Sequence, residues 1–303
     1  MLFRYASTKQ STPFRQLSRA LACPTSIKRY YMARLSRHEK PLLKTNEHGS
    51  NPNKMIVNQH VIPNKHLLEW SSDGKMVEIF DIESKKSKKL PAKSQYFCVM
   101  RLWDQWTESK MLKSNEDNYQ SQIGLMKNGN NFTNPDYVMA YYVLLCVRVW
   151  VANKERPHYP SEFSSISHEY NQSELEDNEL EMDGPVHIVN PTIDPDSQHM
   201  AREVVKMAMN QAFAQWCESI KNQKWRLYQS DNDNFILSDA FCTNFLDGFH
   251  VLPLNPKQVL IAESTYENLV KNSCLSVQFI NDVMKRNAVN YYVESSNSDD
   301  TAS

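Results

Sequence analysis

Asn58-Gln59-His60-Val61-Ile62-Pro63-Asn64-Lys65-His66-Leu67-Leu68 joins an extended entry to a helical exit. Pro63 biases the residue before it toward extended backbone, so Val61-Ile62 reads as a strand-like approach. Lys65 to Trp70 then reads as a short helix, with Leu67, Leu68 and Trp70 seeking a core. Ser72-Asp73-Gly74-Lys75 is a turn, and Met76 to Ile82 alternates polar and apolar side chains as a half-buried strand does. His60 therefore sits on fixed backbone at the start of an ordered region. Lys85, Lys86, Lys88, Lys89 and Lys93 follow as a basic loop without interleaved aromatics, which reads as a solvated face.

The far end of the chain has the same character. Trp225 to Tyr228, Asn234 to Leu237, Phe249 to Leu254 and Gln258 to Glu263 read as short strands parted by Asn, Asp, Gly and Pro turns, an antiparallel meander. Phe235-Ile236-Leu237-Ser238-Asp239 puts Asp239 directly after one of these strands. Ser264-Thr265-Tyr266-Glu267 has the spacing of a capping box. A closing helix is predicted over Cys274 to Ala288, then an edge strand at Tyr291-Tyr292-Val293 and a polar tail over 294–303.

Between these ends the pattern is helical. Asn134 and Pro135 are a cap and a first helical residue, and Tyr137 to Ala152 is apolar nearly all round. This run is short and carries Arg148, so it reads as a core helix rather than a membrane span. A buried guanidinium needs a partner, which makes Arg148 either an ion-pair residue or an anion-binding group. A second helix is predicted from a cap at Asp196 or Ser197 to about Lys221. Its core stripe is read through Met200, Val204, Met207, Ala208, Gln211, Gln215 and Cys217, widened by Phe213 and Trp216. The expected fold is α+β: a small, mostly antiparallel sheet formed by N- and C-terminal segments around a helical middle, as a single domain over 55–293.

Composition narrows the function classes. With six glycines and neither G-x-G-x-x-G nor G-x-x-x-x-G-K-[ST], nucleotide binding of those kinds has no support. Six scattered cysteines form no C-x-x-C, so a structural zinc site is not expected and a reducing compartment fits. Residues 162–183 hold eight acids and read as a loop excursion without calcium-loop spacing. Eight of the 34 Lys and Arg residues fall within 1–38, which has no acid; the rest of the chain sets 26 basic against all 35 acidic residues. That acidic body gives no overall field for nucleic acid. Segment 1–38 has the composition of a mitochondrial transit peptide, with Arg29-Tyr30-Tyr31 as a processing-like stretch. The alternatives are a basic disordered tail, or Met32 as the initiator of a cytoplasmic protein.

Gln59-His60-Val61-Ile62-Pro63-Asn64-Lys65-His66-Leu67 matches a Gln-His-x-x-Pro-x-x-x-Leu opening. Leu68, Trp70, Trp225, Ser238-Asp239, Pro253-Leu254-Asn255-Pro256, Asn281 and Ala288 follow in order. In this set the chain resembles the family called domain of unknown function 4238, over about residues 55–293. Arg148 or Arg156-Pro157 answers to the family's Arg near the end of its helical middle. Phe241-Cys242 stand where the family has a Pro shortly after the Asp. The resemblance implies no established activity, cofactor or partner.

Two readings of the polar residues stay open. In one, His60, Asp239 and Arg148 form one constellation: an imidazole as general base or metal ligand, a carboxylate beside it and a guanidinium holding a phosphate or carboxylate, as in a hydrolase or phosphodiesterase. In the other, His60 bonds backbone at a strand edge, Asp239 caps a turn and Arg148 is an ion-pair partner. A third class, a protein-interaction module, rests on the acidic stretch alone. No cofactor or metal ligand set is read from the sequence.

Overall fold

The computed structural model describes residues 54–127, 132–153, 199–242, 245 and 248–295. The basic segment 1–38, Arg156-Pro157, the acidic stretch 162–183 and residues 296–303 of the tail lie outside them. The described part is α+β with a helical middle, and every strand pairing is antiparallel.

Both ends of the chain meet in a four-stranded sheet. Strands β2 (Met76–Asp81) and β3 (Lys86–Pro91) precede the helices, while β6 (Leu237–Ser238) and β9 (Tyr291–Glu294) follow them. The order is β3-β2-β9-β6. Val77 and Ile79 of β2 point inward, as the alternation requires. Two sequence expectations are corrected here. The lysine run is a strand, unrecognisable by propensity because Lys disfavours sheets, and placed by its register on β2. Tyr291 to Val293 is an interior strand, flanked by β2 and β6.

A three-stranded sheet of order β5-β8-β7 is built from β5 (Trp225–Gln229), β7 (Val251–Asn255) and β8 (Gln258–Ala262). The expected meander breaks at Asn234 to Leu237. There the Phe235 N–H donates to the Pro256 carbonyl and the Ile236 N–H to Asn281 Oδ1, leaving two residues to pair with β9. The capping box also fails to form. Helix α5 (Glu263–Lys271) is capped by Ala262 without a side-chain bond. The Glu263 N–H donates to the Lys224 carbonyl, and the Ser264 hydroxyl donates to Gln223 Oε1 instead of accepting from the helix. The closing helix α6 (Val277–Asn287) is capped by Ser276, whose hydroxyl accepts from the Phe279 N–H.

The remaining pair, β1 (Asn58–His60) and β4 (Cys98–Met100), is a two-stranded ribbon. A short helix α1 (Asn64–Leu67) leaves β1 after Pro63 and tightens into a 3-10 turn over Leu68–Trp70. After β4 a helical run begins at Gln105, is π-helical over Thr107–Leu112, and continues as α2 (Lys113–Lys127).

Helix α3 (Pro135–Ala152) starts as read, with Asn134 Oδ1 accepting from the Asp136 N–H and Pro135 at its first position. Eleven of its 18 side chains are buried, because α2 and α4 (His199–Ile220) cover it from two sides. By length and composition it could cross a membrane; buried in protein, it is a core helix. The face of α4 is a further correction. Met207 on the expected stripe is 47% exposed, and the buried face carries Arg202, Glu203, Val205, Lys206, Met209 and Ala212. Three charged side chains turn inward, which apolar periodicity alone does not anticipate.

Candidate functional site

The ribbon β1–β4 sets His60 opposite Cys98. Gln59, the residue before, is fully buried and holds the ribbon in place. Its Nε2 donates to the Trp103 carbonyl at 2.8 Å, and its Oε1 accepts from the Leu102 and Trp103 N–H groups at 2.8 and 3.2 Å. The chain bends there through Arg101, whose φ of 36° lies in the left-handed region. Asp104 Oδ1 then accepts from the Thr107 N–H at 3.0 Å and opens the π-helical segment. Such segments shift the side-chain phase of a helix and are frequent at functional sites.

His60 Nε2 lies 3.2 Å from the Ala92 carbonyl, which can only accept, so the ring proton is on Nε2 and Nδ1 is an acceptor. Cys98 Sγ lies 3.5 Å from that Nδ1 and 3.7 Å from the Ser94 carbonyl, so its S–H has two acceptors to choose between. Burial, with a smaller effect from Arg148, lowers the His60 pKa and keeps the imidazole neutral. Burial and the nearby Glu108 carboxylate push the Cys98 thiol up to about 12, so Cys98 is a hydrogen-bond partner and not a thiolate nucleophile.

Arg148 closes the inner end of this cluster. It is 2% exposed and forms an ion pair with Glu116 of α2 at 2.6 Å, the Glu116 side chain being 27% exposed. Its guanidinium lies 5.9 Å from the Trp103 ring centre. Its Nε and Nη1 have no hydrogen-bond partner among the described residues. The Trp103 indole N–H donates to Glu108 Oε2 at 2.6 Å. Burial raises the Glu108 pKa, against the pull of Arg148 and the Trp103 N–H. The outer side of the cluster thus holds a neutral imidazole and a carboxyl group inclined to keep its proton; the inner side holds a cation with unused donors.

A second buried cation packs against the same stretch of chain. Lys206 of α4 pairs with Asp104 at 2.7 Å and Glu203 at 3.5 Å, and lies 5.6 Å from the Trp106 ring centre. The stretch Trp103-Asp104-Gln105-Trp106 therefore receives a cation on each tryptophan. Sequence reading passed over this stretch, and over Glu108 and Glu116; the signal available was the W-D-x-W spacing at the start of a helical run.

Asp239 lies in a different net. Its Oδ1 accepts from the Val289 N–H at 2.9 Å, and its Oδ2 from the Asn290 N–H at 2.8 Å and Asn290 Nδ2 at 2.7 Å. Burial pushes its pKa up to about 6 despite these donors. Among the described residues no hydrogen bond or ion pair joins Asp239 to His60 or Arg148. The structure brings His60 and Arg148 into one cluster, with Glu108 and Glu116, and sets Asp239 at the α6–β9 junction. His66, which the sequence reading used only as part of the helix, is a clamp. Its Nδ1 accepts from the Tyr141 hydroxyl at 2.9 Å and its Nε2 donates to the Pro253 carbonyl at 2.8 Å, tying α1 to α3 and β7.

Among the described residues, no three His, Cys, Asp or Glu side chains converge as a metal ion would need. The fold and the cluster define an α+β protein in which α2, α3 and α4 enclose paired charges next to a histidine on a short ribbon. The chain belongs to the family Protein of unknown function (DUF4238), whose profile matches residues 58–298. A search of curated proteins and a search of solved structures each return no match.

Proposed function

We propose that the His60–Glu108–Arg148 cluster is the functional site, and that it binds a small anionic ester and hydrolyses it by general acid–base catalysis. The observation that carries this reading is Arg148, a buried guanidinium whose Nε and Nη1 donors are unused among the described residues, beside a neutral imidazole. Burying a cation is costly, and a cation with spare donors is suited to an anion that arrives from outside. Glu116, which reaches solvent, is the group that an incoming phosphate or carboxylate displaces.

Turning the Cys98 S–H to the Ser94 carbonyl frees His60 Nδ1. Nδ1 then takes a proton from water as its oxygen attacks the phosphorus or carbonyl carbon. Glu108, whose pKa burial raises, gives its proton to the leaving oxygen. The two groups exchange the proton back through solvent. Asp239 has no part in these steps and serves the α6–β9 junction.

The test is turnover of p-nitrophenyl phosphate, bis-p-nitrophenyl phosphate and mono-p-nitrophenyl succinate between pH 5 and 8, with calorimetric titration of inorganic phosphate. Glu108→Gln is expected to lower kcat by about 10²- to 10⁴-fold. Arg148→Met is expected to remove phosphate binding while the chain stays folded. Wild-type protein that neither binds phosphate nor turns over any of the three esters rejects the proposal.

A further inference from the structure

A cavity of about 320 Å³ opens where the first turns of α3 meet the connection from α4 to β5. Phe132, Met139 and Trp225 give it an apolar, mostly aromatic wall; Lys221, Lys224 and Asp136 bring the charges. Asp136 and Arg148 are twelve positions apart on α3, about 18 Å at 1.5 Å per residue. The cavity is thus separate from the His60 cluster.

Its charged groups are unevenly engaged. Lys221 is ion-paired with Glu218. The Lys224 ammonium and the Asp136 carboxylate form no hydrogen bond or ion pair with another described residue, although both line the cavity. Glu263, whose charge reaches Lys224, has both carboxylate oxygens bound by Arg226. Among the described residues the cavity therefore offers one unengaged cation and one unengaged anion beside an apolar wall. Its volume is at the lower end for ligand sites, enough for a small molecule and too little for a nucleotide or a folded peptide.

We propose that this cavity binds a free α-amino acid with an aromatic or branched apolar side chain. The carboxylate meets Lys224, the ammonium meets Asp136, and the side chain lies against Phe132, Met139 and Trp225. Each charge of the ligand answers one charge of the protein, and the aromatic wall favours a ring in offset or edge contact. A molecule lacking either charge forgoes one of the two charge contacts, so the pair favours zwitterions. Asp136 in the first turn of α3 also favours the helix dipole. A carboxylate there for the dipole alone would leave ligand affinity unchanged on substitution.

The experiment is calorimetry and tryptophan fluorescence of the full chain with L-phenylalanine, L-tryptophan and L-leucine, with glycine, phenylacetate and phenethylamine as controls. The expected result is saturable binding of the three apolar amino acids at about 1 mM or below, and at least about tenfold weaker binding of every control. Lys224→Ala and Asp136→Asn are each expected to weaken phenylalanine binding at least about tenfold, and Met139→Trp, which fills the cavity, to abolish it. Urea midpoints show whether each variant is folded; should Met139→Trp not fold, the two exposed charge variants decide. No saturable binding by the wild type overturns the proposal. So does phenylacetate or phenethylamine binding as tightly as phenylalanine, or phenylalanine binding that survives both charge substitutions.

Discussion

Replacing His66 with Gln should change the acid response of the whole fold, and the size of the change can be worked from its surroundings. His66 is buried, stacks on Trp70, Tyr119 and Tyr141, and has both ring nitrogens bound in the neutral form. Burial, opposed by the Pro253 carbonyl, lowers its pKa from 6.5 to about 4. The unfolded chain therefore binds the proton first as pH falls. The contribution is fully present above about pH 6.5, erodes below it and is gone by about pH 4. A gap of about 2.5 pH units at about 1.4 kcal/mol each sets the ceiling at about 3.5 kcal/mol.

Asp239 acts in the same window with the opposite sign. Its folded pKa of about 6 lies above the unfolded 3.8, so its protonated form stabilises the fold at low pH and that contribution is lost as pH rises through 6. Its ceiling is about 3 kcal/mol. Between pH 7 and 4.5 the two groups nearly cancel in the wild type. His66→Gln removes one side of the balance: its stability relative to wild type should rise by about 2 kcal/mol on acidification from pH 7 to 4.5, whatever the fixed cost of the substitution. Every other titrating group is common to both proteins and drops out of the comparison. Urea unfolding at the two pH values measures this from the midpoints, provided the m-values agree. An unchanged difference between variant and wild type at pH 7 and 4.5 would show that His66 already carries its proton in the folded protein, and the clamp described above would be wrong.

Three further outcomes follow from the buried charges and their supports. Glu116→Ala should cost about 3 kcal/mol, because it strands the Arg148 cation in the interior, whereas Arg148→Met should cost clearly less, since Glu116 reaches water; chemical denaturation compares them. Lys206→Met leaves Asp104 as an uncompensated buried carboxylate and should cost about 3–5 kcal/mol. The double variant with Asp104→Asn should recover part of that loss, an interaction energy read from a double-mutant cycle. Gln59→Leu removes the acceptor of two backbone N–H groups and should cost about 2–4 kcal/mol, with hydrogen exchange accelerated at Leu102 and Trp103 before the rest of the core.

The elements legible in the sequence are those governed by local chemistry. Asn134-Pro135 caps α3, alternation marks β2, and Pro63 ends the ribbon, because in each case neighbouring residues decide the conformation. What escaped was decided by distant partners. The lysines of β3 become a strand through their register on β2. Ser264 gives up its capping role because the helix already starts at Glu263, whose N–H donates to the Lys224 carbonyl, and its hydroxyl donates to Gln223. The buried face of α4 turns on Lys206 meeting Asp104, a pairing between residues about 100 positions apart that hydrophobic periodicity reads as a solvated face. The candidate site divided along the same line. Both His60 and Arg148 stand out, one by its motif and the other by its apolar setting. Glu108 and Glu116 lie in a polar helical run where carboxylates are unremarkable until α3 is packed against them.

The opening stretch now separates into roles by what each polar side chain has left to offer. Gln59 is buried with its amide oxygen and nitrogen bound to three backbone groups, and His66 is buried with both nitrogens bound. Neither can exchange a partner without breaking the fold. His60, between them, is partly exposed, and its Nδ1 faces a thiol, a weak donor with a second acceptor in reach. A hydrogen bond to a thiol is readily traded for one to water or a ligand. The residues on either side thus fix the backbone at both ends of a six-residue span and leave the intervening imidazole free to change partners. On the proposed function, that division makes activity and stability separable at this site: substitutions at Gln59 and His66 should register in unfolding, and those at His60 in binding and turnover.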